Sequence, residues 1–156
     1  MAQATADAGQ YLTLRLGNED YAIDILRVQE IRSYEEPTRM VNAPPFIKGV
    51  INLRGVIVPI IDLRMKLNLD KVEYNEFTVV IILNIHGTMI GAVVDSVSDV
   101  VTLSSESIKE APQFDTAIDA RFISGIANVG ERMLIVMDMG ALLSKTEMGM
   151  MASAPG

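Results

Sequence analysis

The stretch FIKGVINLRGVIVPIIDL, residues 46–63, returns as FISGIANVGERMLIVMDM at residues 122–139, an offset of 76 residues without a gap. Phe46, Ile47, Gly49 and Asn52 are matched by Phe122, Ile123, Gly125 and Asn128, and the apolar pattern runs on to Asp62/Asp138 and Leu63/Met139. A weaker match at an offset of 69 sets Ile25 against Val94, Val28 against Val97, Glu30 against Asp99 and Ile31 against Val100. The chain therefore reads as a duplication, with approximate copies at 11–68 and 78–145. A copy of about 65 to 75 residues cannot easily exclude water from a core of its own, so the two are expected to share one.

Within each copy the hydrophobic period is two. Leu12, Leu14 and Leu16 alternate with Tyr11, Thr13 and Arg15, and Tyr21, Ile23 and Ile25 alternate with Ala22 and Asp24, the pattern of half-buried strands. Gly17-Asn18, Arg54-Gly55 and His86-Gly87 each separate two such runs, where a tight hairpin needs a residue that accepts positive φ. Helical candidates are brief, Asp62 to Asn68 and Asp138 to Lys145, and Ile25 to Ile31 reads as a turn followed by a strand from Val28. The expected class is all-β: two packed β-barrels with short helices. Residues 1–9 and 146–156 are read as flexible tails, the second also as a short helical extension carrying Met148, Met150 and Met151.

Composition removes several function classes. The 156 residues are 49% hydrophobic with mean hydropathy +0.29, enough for a sizeable core. Thirteen basic against twenty acidic residues give a net charge of −7, and aromatics are 5%, which argues against a nucleic-acid partner. With no Cys there is neither a disulfide framework nor thiolate chemistry. The first ten residues lack the basic and apolar segments of a secretory signal, and no apolar run approaches the roughly 20 residues of a membrane span, so a cytoplasmic address is expected.

No catalytic constellation can be assembled. Gly125-x-x-x-x-Gly130 has the glycine spacing of a phosphate loop but is followed by Glu131-Arg132 instead of Lys and Ser or Thr, and by a strand, so it reads as a structural turn. His86 is the only histidine and sits at a hairpin tip. The carboxylate pairs Glu35-Glu36 and Asp115/Asp119 lie in polar connections, while Asp62 and Asp138 each precede helical sequence, where a carboxylate caps orphan amides.

Three positions carry open alternatives. Arg54 is matched by Gly130, so the turn does not need it; it is either a solvated turn residue or a planar donor fork for a partner carboxylate. Glu30 is either one face of an ordinary half-exposed strand or, together with Val28, an apolar and acidic patch for a helix bearing apolar and basic residues. Phe114, in Ala111-Pro112-Gln113-Phe114-Asp115, either pins its loop to the body or anchors a partner.

The run Tyr21 to Arg32 (YAIDILRVQEIR), the run Phe46 to Arg64, GAVVDSVSD at 91–99 and FISGIAN at 122–128 closely resemble the CheW-type bacterial chemotaxis coupling proteins across nearly everything between the tails. The resemblance implies a single CheW-like domain over residues 10–145 made of two intertwined, SH3-like five-stranded barrels with a shared hydrophobic interior. It also implies a scaffold without catalysis or cofactor, coupling the cytoplasmic tip of chemoreceptors to the regulatory domain of the histidine kinase CheA and thereby recruited to membrane receptor arrays. The receptor groove it implies falls at Val28, Glu30, Ile31, Asn52, Arg54 and Gly55, and the kinase contacts at Gly49 and Phe114. A small β-barrel hydrolase and an SH3- or OB-like nucleic-acid module are the rival classes, and both want residues this chain lacks.

Overall fold

The computed structural model describes residues 9–39, 44–67, 72–104, 106–109 and 122–141. Strands β1 (Gly9–Leu16), β2 (Glu19–Asp24) and β3 (Val28–Ser33) are followed by β4 (Ile47–Leu53), β5 (Val56–Asp62) and a one-turn helix, α1 (Leu63–Lys66). Then come β6 (Val79–Ile85), β7 (Thr88–Val94), β8 (Ser96–Leu103), β9 (Ile108–Lys109), β10 (Ile123–Val129) and β11 (Arg132–Met137). A 3₁₀ turn at Ile25–Arg27 precedes β3, as the sequence pattern suggests, and another covers Met139–Ala141. Of the helix expected over Asp138 to Lys145 only that turn lies within the described residues. Both expected tails lie outside them save Gly9, which opens β1 paired with Leu103.

The strands form a six-stranded sheet in the order β8-β1-β2-β11-β10-β9 and a five-stranded sheet in the order β3-β6-β7-β5-β4. Under the two repeat offsets, β1, β2, β3, β4 and β5 correspond to β6, β7, β8, β10 and β11. The two orders are thus the same topology with the copies exchanged: the first hairpin of each copy is inserted between the remaining strands of the other. Register is kept as well. The parallel pair Ile60 and Gly91 is repeated as Val136 and Ala22, and β4 and β10 each bulge at their glycine, between Ile47 and Gly49 and between Ile123 and Gly125.

The expected five-plus-five count fails only at β9. Its two residues pair with Ile126 and Ala127, whereas the matching place beside β4 holds a single bridge, Thr38 to Val50. Glycine makes both approaches possible. A Cβ on Gly49, whose φ is +147°, would lie 2.0 Å from the Thr38 carbonyl oxygen, and one on Gly125 would lie 2.5 Å from that of Lys109.

Interchange of hairpins explains why strands are apolar on both faces. Ile81, Leu83 and Ile85 of β6 join Leu12, Leu14, Tyr21, Ile135 and Met137 in one large cluster that spans both sheets. The intervening Val80 and Ile82 join Val58, Ile60 and Val93 inside the five-stranded unit. Ala22, Leu134 and Val136 do the same inside the six-stranded one. At about 1.5–3 kcal/mol for each fully buried large aliphatic side chain, the shared cluster is stabilisation that neither copy has alone.

Candidate interaction site

The β4–β5 connection is a two-residue turn with both central residues left-handed, Arg54 at φ +51° and Gly55 at φ +89°. This is the backbone hand that matches the twist of a hairpin. Asn52 Oδ1 accepts from the Gly55 amide at 2.8 Å and fixes the turn. The β6–β7 hairpin uses the same solution, with His86 and Gly87 left-handed and Asn84 accepting from Gly87. A left-handed non-glycine residue carries a strain of about 1 kcal/mol, and Gly130 avoids it in the second copy.

Strand β3 faces this turn. Arg54 Nη2 donates to Glu30 Oε1 at 2.7 Å, and Arg32 Nη1 donates to Glu30 Oε2 at 2.8 Å. These two charged hydrogen bonds, Arg54 first, hold the Glu30 carboxyl below its usual range. The Arg54 side chain remains 72% exposed. Ile31, Val56 and Ile57 stand exposed on the same strands, and a hollow of about 80 Å³ opens between Arg32, Ser33, Asn52 and Ile60.

Of the positions implied by resemblance, Glu30, Ile31, Asn52, Arg54 and Gly55 come together on strand β3 and the β4–β5 hairpin. Arg54 reaches into its own chain: part of its donor fork is already taken by Glu30. Val28 does not share Glu30's face. An extra residue bulges β3 between them, so Val28 pairs with Leu83 while Glu30 pairs with Ile82, side chains that belong to different clusters. Val28 packs against the shared core. Gly49 lies beneath the Thr38 backbone, and Phe114 lies outside the described residues.

Two participants were not singled out from sequence. Arg32 was signalled by period two, which puts it beside Glu30. Arg64 carried no local signal: it looks like a surface residue of a short helix and is fully buried. Asp62 does cap α1, accepting from the Arg64 amide at 3.0 Å, but also takes Arg64 Nε at 2.9 Å and Nη2 at 3.0 Å. Arg64 Nη1 reaches Asp95 Oδ1 at 2.6 Å, and Asp95 Oδ2 accepts from the Gly17 amide at 2.7 Å in the β1–β2 turn of the other sheet. Burial alone would lower Arg64's affinity for its proton, yet the Asp62 and Asp95 hydrogen bonds raise it above the ordinary arginine value. Tyr74 donates to Asp62 Oδ2 at 2.5 Å, and burial followed by that carboxylate pushes its phenol up.

The six-stranded unit carries a partial counterpart of the first site. Asp99, matched to Glu30, accepts from the Thr13 hydroxyl and from Arg132 at 3.3 Å, and both bonds hold its carboxyl low, the Thr13 contact most. Val100 of β8 and Met133 of β11, matched to Ile31 and Ile57, are exposed. Among the described residues no three His, Asp or Glu side chains are grouped to hold a metal, and no helix is long and apolar enough to cross a membrane.

Interlocked β units with ion-paired, apolar-flanked surfaces define a protein-binding scaffold. A family model for the CheW-like domain matches residues 10–147, and the chain belongs to that family, the adaptor proteins of bacterial chemotaxis. It is 53% identical over 141 residues to a chemotaxis protein CheW of Klebsiella aerogenes, covering 90% of this chain and 85% of that one. Identity to the CheW of Bacillus subtilis is 36% over 137 residues, 86% of each chain. The crystal structure of the scaffolding protein TtCheW from Thermoanaerobacter tengcongensis superposes with a TM-score of 0.82 at 32% identity, over 89% of this chain and 94% of that one. The expected all-β, two-barrel fold is therefore correct.

Proposed function

We propose that this adaptor couples the cytoplasmic tip of chemoreceptors to the regulatory domain of the histidine kinase CheA, and is held at membrane receptor arrays by doing so. The observation that carries the reading is Arg54: a left-handed arginine, where the second copy uses glycine, pinned by Glu30 and still exposed, with Ile31 of β3 and Ile57 of β5 exposed as well. A receptor helix with an apolar stripe would cover the isoleucines, and its carboxylates would meet the exposed guanidinium.

A scaffold of this kind acts only through differential binding. Contact with both partners raises their effective concentration, and a contact that favours one receptor–kinase arrangement shifts its population. Phe114 is proposed as a kinase anchor, and Gly49 as a residue that acts on the kinase face through the Thr38 segment it supports. Reconstitution of kinase activity with receptor membranes, with and without this protein, tests the coupling. Arg54→Glu should weaken receptor capture and kinase activation while leaving the fold intact; wild-type capture together with wild-type activation by that variant would exclude the role of Arg54.

A further inference from the structure

The chain passes between the two sheets twice. It leaves the six-stranded sheet after β2, through Ile25–Arg27, and returns after β7 at Asp95, the one residue between Val94 and Ser96 of β8. The crossovers correspond under the offset of 69, with Asp95 standing where the first has Leu26. They are closed differently. At the first, Asp24 accepts from the Leu26 amide at 2.9 Å and the Leu26 side chain is exposed. At the second, Asp95 is held from both units. Its amide donates to the Arg15 carbonyl at 3.1 Å and its Oδ2 accepts from the Gly17 amide, both in the six-stranded unit, while Oδ1 accepts from Arg64 of the five-stranded one.

Arg64 is itself fixed before it reaches across. Asp62 takes its guanidinium at 2.9 and 3.0 Å, the Glu73 carbonyl accepts from Nη1 at 2.6 Å, and Tyr74, bonded to Asp62, stacks on Tyr34 at the end of β3. Burial in the shared cluster is non-directional, whereas a planar donor fork held at both ends fixes distance and angle. Neither half of the pair recurs at the other crossover: Gly140 takes the place of Arg64, and Leu26 that of Asp95. The same topology therefore closes there without this ion pair, and folding alone does not call for it.

From this one-sided arrangement we infer that the Arg64–Asp95 pair is a positioning clamp, which fixes how the six-stranded unit is set against the five-stranded one. The strands that meet the network, β3 ending beside Tyr34 and β8 beginning beside Asp95, are the matched pair that carries Glu30 and Asp99. What the clamp does for signalling rests on the adaptor reading: partners bound on the two units are held in one arrangement, which a scaffold acting by population shift requires.

Asp95→Ala cuts the clamp and leaves the Asp62–Arg64 pair intact. The chain has no cysteine, so Glu76→Cys and Glu131→Cys, at exposed positions of the two units, give a single pair of spin-label sites. In the isolated full chain the distance distribution between the labels should be narrow with Asp95 and broadened or displaced in Asp95→Ala. Asp95→Glu, which keeps a carboxylate, should recover toward the wild type. Asp138→Ala loses a cap in the other copy and should leave the distribution unchanged, which separates loss of the clamp from destabilisation. With receptor membranes and kinase, Asp95→Ala should retain receptor capture and lose at least about fivefold in kinase activation, the lower end of ordinary coupling between sites. Should Asp95→Ala not melt cooperatively, Asp95→Asn, the milder change, is read in the same way. A cooperatively folded variant with the wild-type distribution overturns the inference, and so does a distribution that Asp138→Ala alters equally. Failure of the wild type to capture receptors would refute the adaptor reading instead, and the distances would still decide the clamp.

Discussion

Arg54 Nη2 lies 2.7 Å from Glu30 Oε1, a bond that ties the β4–β5 tip to strand β3 across 24 residues of sequence. The bond is made from a strained backbone, and Gly130 shows that the matching hairpin closes without it. Arg54→Gly should therefore separate stability from binding. Relief of the left-handed strain and the larger chain entropy of glycine oppose one another, leaving stability within about 1 kcal/mol of wild type. Receptor capture should fall as well, though less far than in Arg54→Glu, which adds repulsion to the lost attraction. A denaturation midpoint that drops steeply would make Arg54 a structural residue instead.

Glu30 gives the same pair a pH readout. Its folded pKa is depressed, first by the Arg54 hydrogen bond and then by Arg32, below the ordinary glutamate value of 4.5. A depressed carboxylate adds stability that is complete above the unfolded value and is lost as pH falls through the folded one. In a carboxyl-carbon NMR titration, Glu30 should have its midpoint below 4.5 in the wild type and move upward in Arg54→Ala. An unshifted midpoint in the variant would mean that the bond does not persist in solution.

Much of this fold was legible from the duplication because period two and matched glycines are local. The hairpin tips, the turn before β3 and the shared core all follow from nearest neighbours and from the size of one copy. Exchange of hairpins between copies was not legible, since β2 would satisfy the same alternation against β5 as against β11. The bulge in β3 was equally silent: inserting Gln29 changes which cluster Glu30 faces without altering the sequence pattern. Arg64 shows the limit most clearly, because its burial depends on Asp95, 31 residues away.

Gly49 and Gly125 predict a graded series that tests whether their repetition is structural. Alanine at Gly49 places a methyl in the Thr38 carbonyl, and alanine at Gly125 meets both the Lys109 carbonyl and Ile108 Cγ2. Backbone cannot yield as a flexible side chain does, so each should cost about 2 kcal/mol or more. Gly17→Ala, at φ +62° with nothing within 4 Å, should cost only about 1 kcal/mol of left-handed strain. Urea midpoints order the three variants; if Gly49→Ala proves the mildest, Gly49 is a direct contact residue and not a support for Thr38.

Asp62 and Asp138 occupy matched positions, and a capping role alone would give their alanine variants the same cost, about 1 kcal/mol each. Their surroundings differ. Among the described residues the Asp138 carboxylate accepts only from the Ala141 amide, at 3.3 Å, and Gly140 stands where Asp62 has Arg64. Asp62→Ala would strip a fully buried guanidinium of its bidentate partner, and removing one member of such a pair costs about 3–5 kcal/mol. Arg64→Met should lose a similar amount by leaving Asp62 unpaired, whereas Asp62→Ala combined with Arg64→Met should lose clearly less than the sum. Asp95→Asn, whose single amide oxygen can serve Arg64 or the Gly17 amide but not both, should lose one of these two bonds and still be the mildest change, since the Asp62–Arg64 pair is kept. Equal costs at Asp62 and Asp138 in chemical denaturation would show that the Arg64 cluster contributes nothing beyond the cap.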